Sequence, residues 1–429
     1  LTSKGWNYRV FGAMQILFSG KMLALVAIVF GAAMVIFLSK EQQAGQPPAI
    51  DLFVKKYLWL IVFGVFNGLV LLWSRDILFH LGIMAILLLV FFRMKPRALL
   101  IAALLMTLIY IGKYYWDYAD HKKMYSKYTA AVNLEKKYEK DSAAKAKKAI
   151  VEKKDTLSKK TLVAKKDTLT KFQKQDKQAW EGLVAGKKVD LKKDDDNIKK
   201  MRSGNYGKVW NHLLPATQSR QAEWLYKKGV WYLAAMIFLG MWLYKIGFFT
   251  GRFTRGQYFL FAIAGISVGV LLAWYRLHFQ QISLQDYEKF VKNKALPHTV
   301  FFPIEKATMA LGYASLVMAI LRTRVFSKIF LAFGAVGKMA LTNYLLQTIV
   351  CTIFFYGYGM GYFARLTQFQ LYLFVTEVLL LQTIFSVLWL RRFNYGPAEW
   401  LWRRMSYGKS MSKTMRKQST TQQPVTVLS

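Results

Sequence analysis

Hydrophobic positions along this chain fall into long blocks, and the polar residues gather between them. A helix needs about 17 to 25 consecutive apolar residues to cross roughly 30 Å of hydrocarbon. Nine blocks are candidates, near residues 22–39, 57–74, 77–93, 98–115, 229–249, 256–276, 300–321, 338–358 and 368–391. Most are apolar on every face and carry Gly and other small residues, as packed membrane helices do and amphipathic surface helices do not. The expected fold is therefore all-α: a polytopic membrane helix bundle of about nine spans, with one long basic helical insert outside the membrane. Residues 1–116 are expected to form the first half of the bundle, 117–228 the Lys-rich insert, 229–393 the second half, and 394–429 a basic tail with a disordered end.

Composition supports this class and charge adds an orientation. Apolar residues make up 54% of the chain and aromatics 16%, and mean hydropathy stays positive at +0.21 despite the Lys-rich middle; an ordinary soluble domain is less apolar. Short loops rich in Lys and Arg stay in the cytoplasm, whereas long segments translocate largely regardless of charge. The short basic connections are 93–97 (RMKPR), 251–255 (GRFTR), 322–328 (RTRVFSK) and the tail from Arg391. Threading nine spans puts all four on one side. The C-terminus is then cytoplasmic and the insert extracytoplasmic. The same threading places Leu1 outside, and since no signal-peptide pattern precedes the first block, a further span upstream of Leu1 is expected.

The net charge of +38 invites a nucleic-acid reading, but its distribution argues otherwise. Residues 117–228 hold 29 of the 61 Lys and Arg and also 15 of the 23 acids. Most of the excess therefore lies in the short loops and the tail, where positive-inside topology accounts for it. No nucleic-acid partner is expected, because no recognition motif accompanies the charge. The insert alternates Lys with acids and lacks Pro before Pro215, a pattern of solvated helices, and KKDTL recurs at Lys153 and Lys165. It reads as a spacer, or as a surface for anionic lipids, an envelope polymer or a protein partner.

Soluble-type catalysis finds no foothold. The single cysteine, Cys351, sits in an apolar block, which excludes an intrachain disulfide and a CxxC metal site. HExxH, P-loop and GxSxG patterns are missing. No metal and no bound cofactor are expected. Polar groups inside the apolar blocks then carry the functional weight, because they are costly in hydrocarbon and tend to face a bundle interior. One cluster is Asn67, Arg75, Asp76 and His80, in FGVFNGLVLLWSRDILFHLG. Arg75 and Asp76 are placed at an outer turn where they can pair. His80 follows Asp76 by four residues on one helical face, and a carboxylate beside an imidazole is what a general base needs; a structural ion pair with a satisfied buried His fits the same residues. The second cluster is Lys338, Thr342, Asn343, Tyr344 and Gln347, at the cytoplasmic entrance of its block. Asn343 and Gln347 are one turn apart and suited to bonds across helices, and Lys338 is suited to a phosphate or headgroup. Glu305 and Lys306 read as interfacial.

Several strings resemble the YeiB-type family of multi-spanning bacterial inner-membrane proteins, a domain of unknown function. They are GYASL (312–316), GKMALTNYLLQTIVCTIFFYG (337–357), FSVLWLRRF (385–393) and GPAEWLWR (396–403), with weaker likeness in GKMLALVAIVFGAAMVIFL (20–38) and WSRDILFHLGIMA (73–85). The resemblance implies a bacterial inner-membrane location. It also implies, at a distance, a likeness to transmembrane acyltransferases, in which an acyl-CoA-type donor enters from the cytoplasm near Lys338 and Asn343 and an extracytoplasmic acceptor approaches Asp76. The resembled pattern has His where this chain has Asn67 and Gly where it has Arg75, so the resemblance shifts the base to His80. Three function classes remain open. An acyltransferase requires a cavity joining the two clusters, a small-molecule transporter requires broken helices around a midplane polar site, and a membrane scaffold requires neither.

Overall fold

The computed structural model describes residues 5–41, 49–152, 169–188, 190–323 and 326–408, and its regular elements are helices. Helices α1 (Trp6–Leu17), α2 (Lys21–Glu41), α3 (Ala49–Leu69) and α4 (Leu78–Leu88) come first, followed by the long α5 (Pro96–Glu152). Then come α6 (Lys171–Ala185), α7 (Leu191–Met201) and α8 (Tyr206–Gln218), and a π-helical stretch (Ser219–Gly229) leads into α9 (Val230–Lys245). Helices α10 (Arg255–Gln285), α11 (Tyr287–Asn293), α12 (Phe302–Leu321), α13 (Ser327–Lys338), α14 (Ala340–Phe355), α15 (Gln368–Arg392) and α16 (Pro397–Tyr407) complete the order. Local signals start several of them. Thr170 with Gln173 and Thr367 with Gln370 form capping boxes at α6 and α15, each satisfying orphan amides of the first turn. The KKDTL echo, the end of the tail and Leu1 lie outside the described residues.

Among the described residues six helices are long and apolar enough to span a membrane, or seven if α13 and α14, bent by 78° at their junction, count as one. Nine spans are not formed. The block at 77–93 splits into α4 and a 3₁₀ turn (Leu89–Arg93), and the block at 229–249 becomes the 16-residue α9. At 1.5 Å per residue, α9 covers about 24 Å, short of a bilayer core. Its uniform hydrophobicity has another cause, since ten of its residues are buried inside the protein. An apolar run has the same composition whether lipid or protein surrounds it.

The chain divides into two compact units. The first comprises Leu1–Tyr110, Lys192–Trp274 and Pro303–Ser429. In it α2 packs so closely on α9 that a Cβ on Gly31 would meet the Ile237 carbonyl, and one on Gly240 the Ile28 carbonyl. Close backbone approach at small residues is a common way for membrane helices to associate. Glu305 is not interfacial: its carboxylate lies 2.7 Å from the Lys21 ammonium, with both side chains fully buried. Lys306 beside it is buried as well. The second unit comprises Ile111–Leu191 and Tyr275–Phe302. Its core is Trp180 of α6, packed against Tyr125 and Tyr128 of α5 and Tyr287 of α11. The compact unit therefore recruits 275–302, while 192–228 belongs with the first unit.

Candidate functional site

Asp76 lies in the connection between α3 and α4, and the local backbone turns it inward. Leu72 adopts φ 60°, unusual for a side-chain-bearing residue. The Trp73 amide then donates back to the Asn67 carbonyl at 3.0 Å, and the Asp76 amide to the Trp73 carbonyl at 3.1 Å. Side chains from α8 and from Tyr356, the residue just after α14, hold this reversal by donating to carbonyls at and beyond the end of α3. Tyr206 Oη reaches the Val70 carbonyl at 2.6 Å, Trp210 Nε1 the Leu69 carbonyl at 2.9 Å, and Tyr356 Oη the Leu72 carbonyl at 3.1 Å. Those carbonyls lack intrahelical donors, so the aromatic donors both satisfy them and fix the connection.

The result is a carboxylate only 1% exposed and surrounded by donors. Asn67 Nδ2 donates to Oδ1 at 2.8 Å, Tyr344 Oη donates to the same oxygen at 3.2 Å, and the Phe79 amide donates to Oδ2 at 2.8 Å. Tyr344 Oη is itself fixed by the Ile77 amide at 3.1 Å. Donors of this kind favour the charged carboxylate, while burial disfavours it. The Phe79 contact also makes Asp76 a cap for the first turn of α4. Asn67 Oδ1 is buried and has no hydrogen-bond partner among the described residues. It is an acceptor available to a water or a ligand proton.

His80 adjoins this group in a manner different from the expected one. Its Nδ1 lies 2.9 Å from the backbone carbonyl of Asp76, not from the carboxylate, and its Nε2 lies 3.1 Å from the Arg220 carbonyl. A neutral imidazole has one N–H and can donate to only one of these carbonyls. The ring also meets Trp224 edge-on at 5.2 Å, and the Arg220 guanidinium covers that indole at 3.4 Å. The carboxylate-oriented imidazole expected of a general base is thus not formed. Arg75 is exposed and makes no ion pair with Asp76, because the inward turn separates them.

The second cluster divides. Tyr344 joins Asp76. Asn343 instead faces α15, where Nδ2 donates to Ser386 Oγ at 2.9 Å and its carbonyl accepts from Gln382 Nε2 at 2.8 Å. The Thr342 amide and hydroxyl both donate to the Glu399 carboxylate of α16, and the Ala398 amide donates to the Thr342 hydroxyl at 3.0 Å. The fit is tight enough that a Cβ on Gly396 would strike Glu399 and Thr342. Lys338 is exposed, and half-buried Gln347 joins none of these bonds. Arg220, Trp224 and the half-buried Gln221 were not anticipated from the sequence. The signal available was polar SRQAEW abutting an apolar run, and π-helical turns of this kind recur at functional sites.

These features define an integral membrane protein, an all-helical bundle with a polar site around a buried carboxylate. Residues 243–409 match the family described as protein of unknown function (DUF418), which covers Tyr344 but not Asn67, Asp76 or His80. The chain is 35% identical over 189 residues to the uncharacterized protein YeiB of Escherichia coli (strain K12), covering 43% of this chain and 48% of YeiB. It is 24% identical over 413 residues to the uncharacterized protein YxaH of Bacillus subtilis (strain 168), covering 94% of this chain and 84% of YxaH. The alignment with YeiB thus spans about half of that protein. No solved structure matches this chain. Residues 243–409 thus carry a YeiB-type domain of unknown function.

Proposed function

We propose that this chain is a membrane-embedded acyltransferase that moves an acyl group from a cytoplasmic donor to an extracytoplasmic acceptor, with Asp76 as the proton acceptor. The observation that carries this reading is the convergence of Asn67, Tyr344 and the Phe79 amide on one buried carboxylate, beside the unpartnered Asn67 Oδ1. A buried ionisable group is costly in a membrane bundle and is a functional candidate for that reason. In the proposed reaction the acceptor hydroxyl or amine gives its proton to Asp76 as its oxygen or nitrogen attacks the donor thioester. The new ester or amide bond forms, the carbon–sulfur bond breaks, and the departing thiolate takes the proton. Tyr344 and Asn67 hold the carboxylate, and Asn67 Oδ1 orients the acceptor. The exposed Lys338 meets phosphates of an acyl-CoA-type donor. In this reading the site lies in a bacterial inner membrane with the C-terminus cytoplasmic. The Lys-rich 117–228 segment is extracytoplasmic, facing anionic lipid, an envelope polymer or a protein partner.

A second reading, a small-molecule transporter, draws on the 78° break between α13 and α14, since discontinuous helices beside a buried polar site are a transporter device. One comparison separates the two. Membranes bearing the wild-type chain or Asp76→Asn are incubated with labelled acyl-CoA, and acylated products are measured by mass spectrometry. Asn caps a helix as well as Asp does, so the variant should fold yet lose transfer by about 10²–10⁴-fold, the usual worth of a general base. Equal transfer by both proteins would refute the assignment of Asp76.

A further inference from the structure

Attack on a thioester drives negative charge onto its carbonyl oxygen, and a base that takes the acceptor's proton does nothing for that charge. A hydrogen-bond donor aimed at the oxygen meets the need. Gln221, in the π-helical stretch, carries a donor with nothing to bond: its Nε2 is buried and has no hydrogen-bond partner among the described residues. An unmet buried amide is costly, and folded proteins seldom keep one without a use. A leucine of similar size would fill the same space without that cost.

Two connections place this amide beside the carboxylate. Gly68 follows Asn67 in α3, and a Cβ on it would come within 2.6 Å of Gln221 Nε2 and 3.3 Å of Thr217 Cγ2. The amide tip therefore rests on the bare backbone of Gly68, next in the chain to the side chain that bonds Asp76. Thr217 turns its methyl to this space, while its hydroxyl donates to the Leu213 carbonyl at 3.1 Å. From the other direction a single imidazole bridges the two segments. His80 Nδ1 lies 2.9 Å from the Asp76 carbonyl, and its Nε2 lies 3.1 Å from the carbonyl of Arg220, the chain neighbour of Gln221. A neutral donor held in such a buried setting stabilises developing charge far better than water does, because it is already oriented when the charge appears.

We propose that Gln221 Nε2 is the oxyanion donor of the acyl transfer described above, an inference that rests on the reading of Asp76 as the proton acceptor. As the acceptor's oxygen or nitrogen bonds to the thioester carbon, the carbonyl π electrons move onto oxygen, and the Gln221 N–H donates to that oxyanion. The carbon–oxygen double bond then re-forms, the carbon–sulfur bond breaks, and the thiolate leaves with the proton that Asp76 took. Asp76 serves the nucleophile and Gln221 the carbonyl oxygen.

Difference infrared spectroscopy reads the contact directly, with acetyl-CoA labelled by heavy carbon at the thioester carbonyl and bound to the full detergent-solubilised chain without acceptor. The carbonyl band of the wild-type complex should lie at lower frequency than that of Gln221→Leu, which lacks the donor. Gly68→Ala should raise the band likewise by displacing the flexible amide, and it reads the contact if Gln221→Leu fails to fold. In transfer assays Gln221→Leu should lower kcat about 10²–10³-fold, the usual worth of one oxyanion donor, with KM nearly unchanged. An unchanged band and kcat in Gln221→Leu, with transfer still lost in Asp76→Asn, would overturn the role of Gln221 alone. Failure of the wild-type chain to bind acetyl-CoA would overturn the acyltransferase reading and this inference with it.

Discussion

At the scale of single residues, Tyr344 shows what adjacency in sequence conceals. Asn343 and Tyr344 are neighbours in the chain, but successive helical residues point about 100° apart. Asn343 therefore meets α15 while Tyr344 meets Asp76 from another part of the bundle. Tyr344→Phe removes one donor to the carboxylate and leaves the Ile77 amide without its acceptor. A loss of about 1–2 kcal/mol in unfolding free energy should follow, measured by denaturation in detergent. No change in stability would show that the contact is not made. His298, in the connection after α11, offers a second test at this scale. Burial, then the positive charges of Arg276 and Lys187, lower its pKa from 6.5 to about 4. A depressed histidine pKa contributes stability that is present above the unfolded value and lost as pH falls from about 6.5 towards 4. NMR of the His298 ring should show titration near pH 4, and titration near 6.5 would contradict its described surroundings.

At the scale of elements, the apolar blocks were legible because bilayer crossing and core burial both demand them, and for that same reason the blocks at 77–93 and 229–249 read as spans. What composition does not encode is which surface a block meets. The fully buried Lys21–Glu305 pair was equally hidden, since the two residues stand near the ends of separate blocks and Glu305 reads as an interfacial charge. Removing one partner leaves a buried charge uncompensated, so Glu305→Gln should cost about 3–5 kcal/mol. The double variant Lys21→Met with Glu305→Leu should recover much of that loss. If the double variant is as unstable as the single one, the pair is not the source of the cost. The α2–α9 contact gives a further expectation. Gly240→Leu places a branched side chain against the Ile28 backbone, and overpacking of about 1–3 kcal/mol should lower the thermal midpoint in detergent, whereas an unchanged midpoint would mean the helices are not so close.

At the scale of the whole molecule, all-helical architecture and membrane class were readable from pattern alone, while the geometry of the site was not. Asp76, His80 and Asn67 were singled out because ionisable and polar groups are conspicuous in apolar sequence. That Asp76 turns inward depends on Leu72, Tyr206, Trp210 and Tyr356, residues whose roles appear only when distant segments meet. Their joint action lets one carboxylate collect donors from α3, α4 and α14, and the proposed chemistry rests on it. The most direct measurement reconstitutes purified wild-type chain and Asp76→Asn in sealed proteoliposomes, with labelled acyl-CoA on the side of the basic tail and a hydroxyl or amine acceptor on the other. Acyl transfer across the bilayer by the wild type, lost at least about a hundredfold in a folded Asp76→Asn, is the expected result. Transfer by neither protein, or equally by both, would contradict a catalytic role for Asp76.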